Sequence, residues 1–508
     1  MDVKHMIMKE KLTKNHVCHL QHDILKPIVE TLGIKAWLVG GCVRDIINDE
    51  GVNDIDVVCT DVNALVNALD EFCITNKISH TIHPMQNGHA VVFNANTAAM
   101  LDDNFSILPP SIQFEISQLG GPDIYTDALG RDFICNTWYV DITGGDPVNP
   151  NLTGSLEYNA SGKYIYPCCG VDTLQDSPIR IFRAMDLMCR RYKPTVELLQ
   201  SITEYLHTRN SVDCKVSCLQ VVHKIFCRLA SGEYKVDDVI YAFDIMLELG
   251  AWDKMVYPVF GSMARCVHNN QYHHDTVWQH TMNVIRGLAT YDVHNEQDVS
   301  IRVSAYDYWV ALLHDTGKVI TRSIDFDKET HFYEHQMASV KIAKEILKDS
   351  PLGNVWTKYV LDIIAHHMDT KQFGDEPLKY SQYKHVRKLM WELGGMAFNH
   401  FLAINHADCA ASERSKNMNT PNIVRAVKDM AYHRGESVWE CYKLPVTGAD
   451  ISQEFPEIQP AHIGFYLKQL YKVTFSRPGD YETKEQCIHY VRTLVKTGWI
   501  YKSHKVNR

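Results

Sequence analysis

The sequence predicts an α+β head followed by a mostly α-helical remainder. Residues up to about 150 alternate strand-like and helix-like segments. From about 172 onward, apolar residues recur at three-to-four spacing, the helical period. Between the two, residues 143–170 collect Gly144, Gly145, Pro147, Pro150, Gly154, Gly162, Pro167 and Gly170, which read as loops and a hairpin closing the head.

In the head, AWLVGG (36–41) reads as an apolar strand ending in two glycines, and VRDIIN (43–48) as a short helix. DIDVVC (54–59) is a second strand, and VNALVNALDEF (62–72) has helical spacing. HAVVFN (89–94) and IQFEIS (112–117) are further strands, so a small mixed sheet with helices is expected. Downstream, IRIFRAMDLMCRRY (179–192) and VVHKIFCRLASG (221–232) are helices, the second ending at a glycine. The last segment, 421–508, also reads as helical. Its end carries Arg492, Lys496, Lys502, Lys505 and Arg508 with no acid among them. A solvated basic tail is the plain reading, and a phosphate-backbone contact is the functional one.

Composition sets the limits. A chain of 508 residues divides into roughly three or four domains at about 150 residues each. Lys and Arg number 51 against 61 Asp and Glu, so the net charge of -10 excludes a strongly basic coat but leaves room for a local basic groove. No stretch approaches the ~18 consecutive apolar residues of a membrane span. The opening MDVKHMIMKEKLTK lacks the apolar core of a secretory signal. Fifteen irregularly spaced cysteines fit reduced, buried thiols of a cytosolic protein. Cys214, Cys218, His223 and Cys227 lie in a helical stretch without paired short ligand spacings, so they are not read as a zinc site.

Two constellations carry chemistry. The first is Asp54 and Asp56, one residue apart in a strand. Period two puts both carboxylates on one face, roughly 7 Å apart. Two such acids repel unless a cation bridges them, and Mg²⁺ binds through one or two carboxylates plus substrate phosphates. Gly40 and Gly41 precede a helix, where backbone without Cβ atoms can approach a triphosphate. Arg44 adds a permanent cation. The second constellation is histidine-rich. His280 lies on one helix, His314-Asp315 ends an apolar helix, and His335, His366, His367 and Asp408 follow on others. Imidazoles and carboxylates from several helices can converge on one metal in a bundle core.

In order, LVGGCVRDIINDEGVNDIDVVCTD resembles the nucleotidyltransferase signature of class II CCA-adding enzymes and bacterial poly(A) polymerases. GRDFICNTWYVD (130–141) is similar to that family's arginine-aspartate motif, which contacts the ribose and phosphates of the incoming nucleotide. The resemblance assigns that role to Arg131, Asp132 and Asn136. DSPIRIFRAMDLMCRRY (176–192) resembles the helix that begins the neck, where the family reads the base with an acid and an arginine. Arg180 and Arg183 match the arginines, with Asp176 or Ser177 at the acid. Glu115 is a candidate third acid near the metals. The chain departs from the pattern at Gly130, where the family has arginine, and at Ser177, where it has the base-reading acid. The segment after IQFEIS passes quickly to the next motif, so the family's flexible loop reads as short or missing.

The ordered set His280, His314-Asp315, Asp408 resembles the HD phosphohydrolase superfamily, and HDTGK (314–318) is close to its core. The resemblance makes these four first ligands of a metal. His335 and either His366 or His367 match positions that contact phosphate or a second metal in some members. His268, His273, His274 and His331 are read as surface or supporting residues. Both resemblances together imply a nucleotidyltransferase head with an N-terminal helix (1–170) and a helical neck (171–262). An HD-type helical domain (263–420) and a helical tail with a candidate RNA contact (421–508) follow. The implied activity is addition or repair of the tRNA 3′ CCA end from CTP and ATP with Mg²⁺. An HD phosphatase or 2′,3′-cyclic phosphodiesterase holding a divalent transition metal or Mg²⁺ accompanies it. Cytoplasmic location and no membrane partner are expected. The alternatives are a poly(A) polymerase, or an HD phosphohydrolase whose head only binds nucleotide or RNA.

Overall fold

The computed structural model describes residues 11–85, 87–94, 111–151, 163–268, 275–290, 302–326, 329–369, 380–412, 444–476, 480–481 and 483–497. The chain divides into two compact units, Met1–Pro258 and Val259–Arg508. No helix among the described residues is long and apolar enough to cross a membrane.

The first unit opens on helices α1 (Lys14–His19) and α2 (Lys26–Leu32), joined by a π-helical stretch at Leu20–Leu25. The sheet has six strands: β1 (Ala36–Val39), β2 (Ile55–Cys59), β3 (His80–Met85), β4 (Gly88–Asn94), β5 (Ser111–Gln118) and β6 (Tyr139–Asp141). Their order is β3-β4-β5-β2-β1-β6. β2 and β5 run parallel and the other neighbours antiparallel, so the sheet is mixed. β3 is a strand that sequence patterning misses. HTIHPM contains a proline and little apolar alternation, and the proline is tolerated because β3 is an edge. A second difference lies at Gly40-Gly41, which begin helix α3 (Gly40–Ile47) instead of ending the strand. Gly40 sits at φ 69, a turn that favours glycine.

Period two divides β2 between two cores. Ile55, Val57 and Cys59 join the main core with Val29 of α2 and with Leu65 and Leu69 of α4 (Val62–Thr75). Burying Ile55, Val57, Phe114 and Ile116 contributes about 1.5–3 kcal/mol each. Val58 lies on the opposite face with Val39, Leu119, Ala128 and Tyr139. Asp56 shares that second face, away from the main core. After β5 the chain reaches helix α5 (Ile124–Leu129) within residues 119–123. The connection 95–110, between β4 and β5, lies outside the described residues, as do residues 152–162 of the loop-rich segment.

The helical part of this unit contains α6 (Arg180–Cys189), α7 (Val196–His207), α8 (Lys215–Ala230) and α9 (Val236–Glu248). α6 packs on α8 and α9. Edge-to-face aromatic contacts lock the packing: Phe182 and Phe243 lie 5.5 and 5.0 Å from Trp252.

In the second unit, α10 (Val277–Ala289), α11 (Ala305–Leu313), α12 (His335–Leu347), α13 (Gly353–His366), α14 (Tyr380–Leu393) and α15 (Gly395–Ala410) form a bundle. α11 is fully buried from Asp307 to Leu313, as the apolar run YWVALL requires. α10 and α15 approach closely at Gly287, where an added Cβ would lie 3.2 Å from the Ala407 Cβ. The last helices, α16 (Gly448–Glu454), α17 (Pro460–Ser476) and α18 (Lys484–Lys496), share a separate core around Ile451, Leu470, Cys487 and Val491.

Candidate functional site

On the second face of the sheet, Asp56 lies in register with Glu115 of the parallel neighbour β5. Asp54 stands just before β2, and its charge acts on Asp56 as well. Burial, Glu115 and Asp54 together push the Asp56 carboxyl up to about 7, against the pull of Arg131. Crowded acid oxygens on a buried face fit a hard cation with oxygen ligands such as Mg²⁺. Gly40 and Gly41 stand directly over this carboxylate. A Cβ on Gly40 would lie 3.2 Å from Asp56 Oδ2 and 3.5 Å from Arg131 Nη1; one on Gly41 would lie 3.7 Å from the same oxygen.

The raised Asp56 gives a stability prediction. A carboxyl held above its ordinary value keeps its proton in the folded state longer than in the unfolded chain. Between about pH 4 and 7 the folded state therefore binds more protons, and stability falls as pH rises through that window. In a chelator, Asp56→Asn should melt higher than the parent at pH 8, with the gap closing as pH falls toward 4. Mg²⁺ should raise the parent alone at pH 8. Equal melting curves for the two proteins across this range would contradict the raised carboxyl.

Around the acids runs a fixed cationic lattice. Arg44 is buried and donates to one Asp45 oxygen through Nε (2.8 Å) and Nη2 (2.7 Å), while its Nη1 donates to Asn136 Oδ1. The Asn136 amide donates to Asp132 Oδ1 at 2.9 Å. Asp132 meets Arg183 at 2.8 Å. Burial works against the Asp132 charge, but Arg183, Asn136 and the Phe133 amide hold its carboxyl below the ordinary value. Arg131 Nε lies 2.9 Å from Asp127 Oδ2 and 2.8 Å from the Tyr139 hydroxyl, which itself donates to Asp127 at 2.5 Å. Asp127 and Tyr139 thus aim Arg131 at the glycines, and the sequence reading did not single them out. Their signals were the i,i+4 spacing of Asp127 and Arg131 and the tyrosine inside the GRDFICNTWYVD run.

The proposed base-reading residues separate. Arg180 donates to the carbonyls of Thr173 (2.8 Å) and Gly130 (2.5 Å), so its guanidinium is committed to the backbone. Asp176 is exposed, 3.8 Å from Arg180, and neither it nor Ser177 lines the cleft. The cleft has two lobes. One, about 400 Å³, is lined by Gly40, Gly41, Asp56, Glu115, Arg131 and Arg180 among others. The other, about 330 Å³, shares Gly41, Asp56, Asp132, Asn136 and Arg183 with it and adds Arg44, Asp186, Arg190 and Lys224.

The second unit gathers the histidines. His280, His314 and Asp408 form one group of converging ligand atoms, and Asp315, His335 and His367 form another. Asp315 joins them: its Oδ2 lies 3.3 Å from His314 and 3.5 Å from His280, and its Oδ1 3.2 Å from His335 and 3.7 Å from His367. His280 Nε2 lies 2.9 Å from Asp408. Of the adjacent pair, His367 enters the cluster, while His366 turns away to Asp369 at 2.8 Å. The Nδ1 atoms of His314, His335 and His367 sit 2.7–2.8 Å from the carbonyls of Ala311, Phe332 and Ile364. A carbonyl only accepts, so each Nδ1 carries a hydrogen, and each ring directs its Nε2 inward, where it offers a lone pair once that nitrogen is deprotonated. His335 and His367 Nε2 face each other at 3.2 Å. Such a set of facing lone pairs and carboxylates fits divalent cations with mixed N/O ligands.

Without a metal, a proton takes the place of the cation: His314 is protonated at neutral pH and its Nε2 faces the Asp315 carboxylate as a donor. Burial opposes charge on His314, yet Asp315 and Asp408 raise it to about 9. Burial likewise opposes charge on Asp315, but His314, Lys318 and His335 hold it well below the ordinary value. Burial pushes His367 down to about 4. Lys318 reaches Asp315 at 2.6 Å and is backed by the buried His268 at 3.1 Å, so His268 supports this cluster. Gly317 of the HDTGK run is a packing requirement, since a Cβ there would fall 2.2 Å from the His335 carbonyl.

Other candidates are placed more plainly. His331 pairs with Asp325 on an outer hairpin, and His273 and His274 lie outside the described residues. Cys214 meets Cys218 and Cys227 meets His223, and among the described residues they form no common metal group. Arg492 pairs with Glu454 at 2.5 Å, while Lys502, Lys505 and Arg508 lie outside the described residues.

Comparison with known proteins follows the same division. Residues 36–153 match the family profile of the poly(A) polymerase head domain, and residues 277–428 match that of the HD domain. No curated protein matches the sequence significantly. Among solved structures, a CCA-adding enzyme in an apo form superposes with a TM-score of 0.52 at 14% identity, over 97% of this chain and 97% of that one. A CCA-adding enzyme in complex with CTP gives 0.52 at 14%, over 98% of each. The Thermotoga maritima CCA-adding enzyme complexed with tRNA gives 0.50 at 14%, over 97% of this chain and 99% of that one. At such identity these likenesses speak for the fold.

Proposed function

This chain belongs to the family of class II CCA-adding enzymes and bacterial poly(A) polymerases that carry an HD domain, and from that premise we propose that it adds the 3′ CCA end to tRNA. CTP and ATP are the proposed substrates, and the HD unit is a phosphohydrolase of the phosphatase or 2′,3′-cyclic phosphodiesterase type. The observation that carries the transferase reading is the register of Asp56 with Glu115 beneath Gly40-Gly41.

When bound, Mg²⁺ at Asp54 and Asp56 supplies positive charge to the triphosphate and to the attacking hydroxyl. The residues supply the rest. The glycines let the phosphates approach the helix start. Arg131, held by Asp127 and Tyr139, and Arg44, held by Asp45 and Asn136, place fixed cations beside the departing pyrophosphate. The RNA 3′-oxygen bonds to the α-phosphorus as the bond to pyrophosphate breaks, and the hydroxyl proton passes to solvent. In the HD unit, a transition metal or Mg²⁺ would be held by His280, His314, Asp315 and Asp408. His335 and His367 stand ready for a second ion or a phosphate.

The test is incubation with a tRNA transcript lacking CCA, Mg²⁺, CTP and ATP, followed by a sequencing gel. Three added nucleotides are expected. A long adenylate ladder would assign poly(A) synthesis instead. No metal-dependent addition would leave the HD hydrolase as the chain's chemistry, with a head that binds nucleotide or RNA.

A further inference from the structure

The smaller lobe of the cleft holds a carboxylate that no part of the transferase reading uses. Asp186 lies two residues beyond the middle of α6, one helical turn after Arg183, and both side chains line this lobe with Asp56. It is held in place from behind. The Tyr234 hydroxyl donates to Oδ1 at 2.7 Å, while Arg228 and Lys224 approach Oδ2 only to 3.4 and 3.5 Å. Oδ2 is thus oriented by cations without being saturated by a short hydrogen bond. Burial opposes its charge, but Lys224, Arg228 and Tyr234 keep the carboxyl below the ordinary value, so it remains an acceptor at neutral pH. Arg183 is half-exposed and anchored at one end to Asp132. The nominal base-reading positions contrast with this: Arg180 is spent on backbone carbonyls, and Asp176 and Ser177 stand outside the cleft.

We infer that Asp186, with Arg183 beside it, reads the edge of the incoming base, and so sets nucleotide selectivity in this chain. The inference rests on the proposed transferase function and deepens it. An ionised carboxylate accepts only, and a guanidinium donates only. Together they match an edge with an exocyclic amino donor next to a ring-nitrogen acceptor, as cytosine and adenine have. Uracil and guanine present a carbonyl where the amino group is needed and a ring N–H where the acceptor is needed. Both mismatches set like against like in a partly dry lobe, and such a mismatch is strongly rejected. The order of the two residues along the helix, arginine first and acid three later, places the acid deeper toward α8, where Lys224 and Arg228 orient it.

The experiment measures kcat/KM for CTP, ATP, UTP and GTP on a tRNA transcript lacking CCA, with binding of the same nucleotides by calorimetry in Ca²⁺. Asp186→Asn should lower the CTP-to-UTP ratio by about tenfold or more, the scale of one base-edge contact pair. A ratio does not depend on the fraction of folded enzyme, so general destabilisation cannot mimic the result. Arg183→Gln, at a half-exposed position, is the second variant and should lower the ratio in the same direction. An unchanged ratio in both variants overturns the inference, as does a shift produced by Asp176→Ala in its place. If the parent protein transfers no nucleotide at all, the transferase function falls by itself. The calorimetric preference for CTP over UTP, and its loss in Asp186→Asn, then decides the inference separately.

Discussion

Asp56→Ala is expected to lower nucleotide addition by a factor on the order of 10³ or more, because bound ions supply several kcal/mol at the transferring phosphoryl group. The expectation follows from position. Asp56 is the acid over which both glycines close and next to which Glu115 lies in register. Asp54 stands at the strand's entrance and contributes through its charge on Asp56. Asp54→Ala should therefore be equal or milder in effect. Glu115→Gln should cost less than either, since it changes the field at Asp56 while keeping the shape. The assay is single-turnover addition of CMP to tRNA lacking CCA across a Mg²⁺ titration. An Asp56→Ala enzyme that keeps near-parental turnover at saturating Mg²⁺ would remove this carboxylate from the chemistry. The hydrolysis proposed for the HD unit should be untouched by all three variants.

Asp315→Asn is expected to prevent metal binding at the HD cluster and to abolish the hydrolysis proposed for it. One carboxylate serves both ligand groups, with oxygens 3.2–3.7 Å from four imidazoles. Its loss also leaves Lys318 without its buried carboxylate and the raised His314 with Asp408 alone. Breaking a buried pair on one side costs about 3–5 kcal/mol. Asp315 is held below its ordinary value, so its contribution is present above about pH 4 and is lost in acid. His314 is raised to about 9, so its contribution is full below about pH 6.5 and fades as pH rises through 9. In metal-free protein the stability gap between parent and Asp315→Asn should be widest from about pH 4 to 6.5. Metal content by plasma mass spectrometry, hydrolysis of a 2′,3′-cyclic nucleotide and denaturant titration check the three parts. His367→Ala should lower metal content and His366→Ala should not. Full metal content in Asp315→Asn would show that the cluster does not depend on this residue.

Much of the site was legible because its chemistry is local in the chain. The alternation in DIDVVC put Asp56 on the face away from Ile55 and Val57, and the structure keeps that division. The apolar run WVALL carried His314-Asp315 to the end of a buried helix. What escaped were contacts made by pairing. Strand β3 carries little apolar alternation and is specified by its partner β4. His366 and His367 are indistinguishable as neighbours in a sequence. Only the wheel of α13, packed on α12, turns His367 toward Asp315 and His366 toward Asp369.

By itself, then, the sequence determined which residue types stand at which spacing: the glycine pair before the paired acids, the HDTGK helix end, and the switch from alternating to helical periodicity. These are set by short-range geometry, since strand and helix periods decide the face of each side chain before any tertiary contact forms. The tertiary structure decided which distant groups share an electric field. It placed Glu115 beside Asp56, 59 residues away, and set Asp127 and Tyr139 around Arg131. It committed Arg180 to backbone carbonyls and turned Asp186 into the cleft. Register and helix rotation come from burying apolar faces against one another, which no local pattern encodes. The charges on the opposite faces go where that packing carries them.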